Sequence, residues 1–174
     1  MKESDMGLLK PLLAVQFLEQ YKRLLSEVAG RSLHGLADFG HARSTLYADG
    51  LNKTFPMGKS YDRLFIDAVR GAKYGTFIYA KKYKQGYALK ASDNCWHCVK
   101  ALTTPLEELV GDWVVIVTAV LPFHGYDLCD GLVVNRNVLI GRNMISSMIQ
   151  ELKLERRKWS STQRIQRTTA AEAQ

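Results

Sequence analysis

Between residues 8 and 28, Phe17, Leu18, Tyr21, Leu24, Leu25 and Val28 recur at helical spacing, with Glu19, Lys22, Arg23 and Glu27 between them. One apolar stripe beside one charged face is the pattern of a helix packed on a core, so a helix is predicted here, with Gly30 as its stop. The stretch 31–59 keeps no steady period and is broken by glycines and Pro56, which predicts short helical turns around Leu36–Tyr47. Ser60 then stands as an N-cap before Leu64, Phe65, Ala68, Val69 and Ala72, the apolar face of a second helix ending near Gly71–Gly75.

From Thr76 onward the period falls to that of strands. Thr76–Lys82 and Tyr87–Ala91 flank Lys84-Gln85-Gly86, and Asp93-Asn94 separates the second of them from Cys95–Leu102, so three antiparallel strands are expected. Pro105–Val110 reads as a helical turn with Pro105 in its first turn and Gly111 at its end. The valine-rich run Trp113–Leu121 predicts a central strand buried on both faces, and Tyr126–Val134 returns beside it with a bulge at Gly131. Ile145, Met148, Ile149 and Leu152 line one face of a last helix that runs into the basic segment Lys153–Lys158. Past Ser160 the chain is polar without an apolar stripe, which predicts a flexible tail over 160–174. The expected fold is therefore α+β: N-terminal helices, about five strands in an antiparallel sheet or small partly open barrel, and a C-terminal helix, all in a single domain spanning 1–159.

Three short motifs fall in the strand-rich part: Pro105-Leu106-Glu107-Glu108, the strand end Leu121-Pro122-Phe123-His124-Gly125, and Asp130-Gly131. Over about residues 75–152 they resemble a group of uncharacterised bacterial proteins that share such a turn, strand end and aspartate-glycine pair. The resemblance implies a small strand-rich module behind N-terminal helices and implies no activity. The cysteines on the third and fifth strands depart from that pattern.

Composition narrows the class. A chain of 174 residues with 47% apolar and 24% charged residues can bury a core without disulfides. The three cysteines form an odd set, the N terminus lacks the features of a signal peptide, and the longest apolar run, Trp113–Phe123, is shorter than the roughly 20 residues of a spanning helix. A cytoplasmic protein without a membrane partner is expected. The net charge of +7 is concentrated, because residues 51–100 hold ten lysines and arginines against three acids.

That excess supplies the leading functional expectation. Lys73, Tyr74, Lys81, Lys82, Tyr83, Lys84 and Lys90 interleave cations with rings across the first hairpin, and Arg156, Arg157 and Lys158 offer a second basic cluster. Lysines neutralise phosphates while exposed rings stack on bases, so a non-enzymatic module binding nucleic acid or an acidic protein surface is expected. The bland alternative puts Phe77, Tyr79 and Tyr87 in the core and leaves the lysines guarding an exposed edge. A second expectation is a metal-dependent hydrolase or nuclease near His124, Asp127 and Asp130, in the company of His97. A third is a protein that acts by occupying a partner's surface. No cofactor is expected, although Cys95, Cys98, His97, His124 and Cys129 are the residues a zinc ion would draw on, since Cys95 and Cys98 stand three apart.

Overall fold

The computed structural model describes residues 7–48 and 61–172, with residues 160–172 described by their backbone alone. Helix α1 (Pro11–Ala29) opens on Pro11 and buries Ala14, Phe17, Tyr21, Leu24 and Leu25. It ends as its sequence requires: Gly30 takes φ 66° and donates its N–H to Glu27 O, a left-handed cap that a side chain would strain. Helix α2 (Leu36–Ala48) is one continuous helix where short turns were expected. Its period was hard to see because a charged residue, Arg43, joins Ala42 and Leu46 on the buried face. In α3 (Arg63–Arg70) the N-cap is Asp62, whose side chain accepts from Leu64 N at 2.9 Å. Ser60, the expected cap, lies outside the described residues.

Six strands follow: β1 (Lys73–Lys82), β2 (Tyr87–Ala91), β3 (Trp96–Lys100), β4 (Val114–Phe123), β5 (Tyr126–Cys129) and β6 (Val134–Leu139). The order β1-β2-β3-β5-β4 closes on itself through antiparallel pairing of β4 with β1. All pairings around this ring are antiparallel except β3 with β5, which is parallel. A five-stranded barrel in this order, with the helical turn α4 (Leu106–Leu109) between its third and fourth strands, has the layout of an OB-type barrel. The α+β class and the helix–barrel–helix order match the expectation from sequence; the closure and the one parallel pair are additions to it. The expected single strand Tyr126–Val134 is divided, because Gly131 takes φ 79° and turns the chain out of the ring. The chain then returns as β6 to pair with β4 outside the barrel.

Phe77, Tyr79, Tyr87, Leu89, Val99, Ile116, Val120 and Cys129 form one core, joined by Leu106 from α4. A second core lies between the helices and the other face of β4 and β5: the ring of Phe17 stands edge-on 5.2 Å from Phe123 and 5.5 Å from Phe65, over Leu121 and Leu128. Burying each such side chain stabilises the fold by about 1.5–3 kcal/mol, and together they hold α1 and α3 on the barrel. The chain start is tied down as well, Leu8 forming a parallel bridge with Ala101 at the end of β3.

Helix α5 (Arg142–Glu172) crosses the outer face of β1 to β3, inserting Leu152 against Ala80 and Ala88. Its backbone stays helical through Glu172, past the point where the sequence was expected to become a flexible tail. No glycine or proline interrupts residues 142–172, and its five arginines, three glutamines and three glutamates favour the helix. Among the described residues no helix is long and apolar enough to cross a membrane.

Candidate functional site

The tip of the β1–β2 hairpin is built by Tyr83 and Gly86, each donating its backbone N–H to the other's carbonyl, at 2.8 and 3.2 Å. Gly86 has φ 157°, and a Cβ there would stand 2.4 Å from Val99 O of β3. Only glycine lets the tip sit this close to the barrel wall.

The expected basic surface divides on this frame. Tyr79 and Tyr87 face the barrel core, where burial raises both phenols above their ordinary range. Lys82 donates to Glu107 at 2.7 Å, Lys73 to Asp93 at 3.2 Å, and Lys90, only 9% exposed, to Glu151. Tyr74 belongs to the seam with α2, stacked 5.2 Å from Tyr47 and hydrogen-bonded to Ser44 at 2.9 Å. Lys81 and Lys84 remain exposed on either side of Tyr83, with the Lys81 ammonium 5.4 Å from the Tyr83 ring centre.

The second basic cluster comes to meet them. Helix α5 places the Arg156 guanidinium 4.0 Å over the Tyr83 ring, a cation–π contact. Arg157 and Lys158 are exposed beside it, Lys158 reaching back to Glu155 at 2.6 Å. Residues more than seventy positions apart therefore meet on Tyr83: Lys81 and Arg156 both lie over its ring, with Lys84 close by in the hairpin tip and Arg157 and Lys158 next along the helix. Further along α5, the Glu151 carboxylate accepts from Lys90 Nζ and from Trp96 Nε1, the latter at 3.4 Å. Lys90 holds that carboxyl below its ordinary range. A cavity of about 460 Å³ opens between α5 and β1–β2, lined by Ile78, Lys90, Val115, Met144, Met148 and Glu151.

The other candidates are dispersed. Cys95 is exposed in the turn before β3, Cys98 is half-buried, and Cys129 is buried in the barrel. Among the described residues no three cysteine, histidine or acidic side chains form a group that could hold a metal ion. Burial pushes both Cys98 and Cys129 up to about 11, so at pH 8 only about one part in a thousand of either is thiolate. Iodoacetamide applied to the native protein at that pH is therefore expected to add a single carbamidomethyl group, at Cys95, with all three sites reacting after denaturation. Two or more adducts on native protein in the intact mass spectrum would contradict the packing around β3 and β5.

His124 sits exposed in the β4–β5 turn with φ 50°, its ring edge-on to Phe123. Asp127 is engaged elsewhere: its carboxylate lies 2.9 Å from Nδ1 of His97, which keeps a proton on that nitrogen. Nε2 of His97 is buried, and no hydroxyl or thiol among the described residues is hydrogen-bonded to it. Asp130 is the centre of a buried cluster. It accepts from Arg43 Nη1 with both oxygens at 3.0 Å, from Tyr21 at 3.0 Å, from Thr118 at 3.1 Å and from Leu132 N at 3.0 Å. Arg43 was not singled out in the sequence; the only signal for it was a lone charge at a core position of α2. His124, Asp127 and Asp130 thus share no partner, and the cluster around Asp130 joins helices to barrel.

No family model matches the chain, and neither a curated protein nor a solved structure is significantly similar to it.

Proposed function

We propose that the protein binds nucleic acid, without catalysis, through the basic end formed by the hairpin tip and α5. The observation that carries this reading is the Arg156–Tyr83 contact, which brings two basic segments distant in sequence against one ring. Each exposed lysine or arginine there can release a counterion on meeting a phosphate. Barrels of this layout hold oligonucleotides or oligosaccharides at the face of their second and third strands and at the loop between the first two, which is where Lys84 lies. That support is one of analogy, since a fold hosts many functions. The likeness over residues 75–152 to uncharacterised bacterial proteins adds no activity to it. A nuclease around His124, Asp127 and Asp130 has less support, because His97 and Arg43 already engage the two carboxylates. No cofactor enters the reading. A cytoplasmic setting suits it, as all three cysteines are free thiols.

A fluorescence anisotropy titration of labelled oligothymidylate over a range of salt concentrations is the direct test. Native protein is expected to bind at low salt, and the Lys81→Ala/Lys84→Ala variant to show a log–log salt slope shallower by about 1.4, or about 0.7 for each lost phosphate contact. Binding that is undetectable at low salt sinks the proposal. Binding whose salt slope is unchanged in the variant removes the hairpin tip from the interface. Native protein that ignores oligonucleotides but binds polyglutamate would instead favour an acidic protein surface, met by the same cations.

A further inference from the structure

The face covered by α5 is composed more like a ligand platform than like the seat of a helix. Two small residues, Ala80 and Ala88, lie at its middle, with Tyr83, Trp96 and Trp113 around them and Lys90 beside Trp96, its ammonium 5.5 Å from the indole centre. Of the α5 side chains described, Met148 and Leu152 are buried and Trp159 packs against the same cluster, while the cavity of about 460 Å³ opens beside Met144, Met148 and Glu151, so apolar contact is thinnest at that end of the helix. Its other ties are Arg156 over the Tyr83 ring and one carboxylate. Glu151 satisfies Lys90 and the Trp96 indole N–H with one carboxylate, and that carboxylate is about half exposed.

An ammonium and an indole at the edge of a β-face are the pair that would meet a phosphate and an unstacked base, and Glu151 already supplies the anion. The geometry points to a covered half of the binding surface: single-stranded nucleic acid displaces the Glu151 carboxylate and lifts the Met144–Glu151 stretch of α5 from Trp96 while Arg156 stays on Tyr83, so that Lys90 meets a phosphate and Trp96 a base. This rests on the reading of the adjacent basic end as a nucleic-acid site, and it names the class of nucleic acid. A duplex keeps its bases stacked inside and offers nothing to the indole, so only unpaired strands gain from opening the helix.

The full-length Glu151→Gln variant keeps the shape of residue 151 and removes the competing charge. It is expected to bind labelled oligothymidylate about tenfold more tightly than native protein at low salt, with a salt slope steeper by about 0.7. Its affinity for a duplex of equal length should stay at the native value. Adding Lys90→Ala to Glu151→Gln should return the slope to that of native protein. In the native protein itself, saturating oligothymidylate should speed amide hydrogen exchange over residues 145–151. If Glu151→Gln binds with native affinity and slope, or if those amides slow or stay unchanged in the complex, α5 is not displaced and the inference fails while the hairpin reading stands. Equal gains for duplex and single strand would overturn the class assigned. If neither protein binds either oligonucleotide, the hairpin reading itself has failed and takes this inference with it.

Discussion

Asp130→Ala is expected to lower the free energy of unfolding by about 3–5 kcal/mol, the range seen when one member of a buried ion pair is removed. The size follows from what is left behind. Arg43, whose side chain is 1% exposed, would keep its charge and be left with the Leu132 carbonyl and the face of the Tyr74 ring. The Tyr21 and Thr118 hydroxyls and Leu132 N would lose their acceptor as well. Arg43→Met should cost less, about 2–3 kcal/mol, because the carboxylate would retain three donors. Urea unfolding monitored by circular dichroism gives both numbers, and an order in which Arg43→Met is the worse of the two would mean that the carboxylate is not the centre of the cluster. Burial raises the Tyr21 phenol well above its ordinary range, with Asp130 adding to the effect, so the hydroxyl remains a donor across the accessible pH range.

Gly86→Ala is expected to be nearly as damaging, at about 3–5 kcal/mol, for a reason confined to backbone geometry. The new Cβ would lie 2.4 Å from the Val99 carbonyl oxygen and 3.3 Å from the Cys98 sulfur, and the backbone would hold a φ that L residues rarely adopt. Strain of that kind costs about 1–3 kcal/mol and crowding in a packed wall about 1–3 more. The contact is with main chain, so it can be relieved only by parting β2 from β3. A loss below 1 kcal/mol in the same unfolding assay would show that the hairpin can slide away from β3. Because Gly86 also closes the turn onto Tyr83, the variant should weaken oligothymidylate binding even at temperatures where it remains folded.

The features legible in the sequence were those written in neighbouring residues. The stripe from Phe17 to Val28, the hairpin around Lys84-Gln85-Gly86 and the valine run of β4 each declare their element through local spacing. The parallel pairing of β3 with β5 joins Val99 to Asp127, and no local pattern encodes a partner that far away. Strand β6 escaped notice because Val134–Leu139 is exposed along its whole length and carries Asn135, Arg136 and Asn137 where a half-buried strand would alternate. The candidate site shows the same division. That Lys81, Lys84 and Arg156–Lys158 are basic is plain from the sequence, whereas the ion pairs that occupy Lys82 and Lys90 depend on Glu107 and Glu151, brought in from other elements. Tyr79 and Tyr83, four apart, would share a face under strict alternation; they differ in fate because the β1–β2 register shifts between Tyr79 and Lys82 and Tyr83 already belongs to the turn.

The Arg43–Asp130 clamp also has a bearing on how the chain is made. Its two members are 87 positions apart, and Tyr21 precedes their common carboxylate by 109. At a synthesis rate of about 5–20 residues per second, Arg43 leaves the peptidyl transferase centre about 4–17 s before its partner exists. Throughout that interval α1 and α2 have neither the barrel wall for Phe17 and Leu46 nor a counter-charge for the guanidinium. The nascent chain therefore carries an unsealed helical half until β5 and Asp130 have been made.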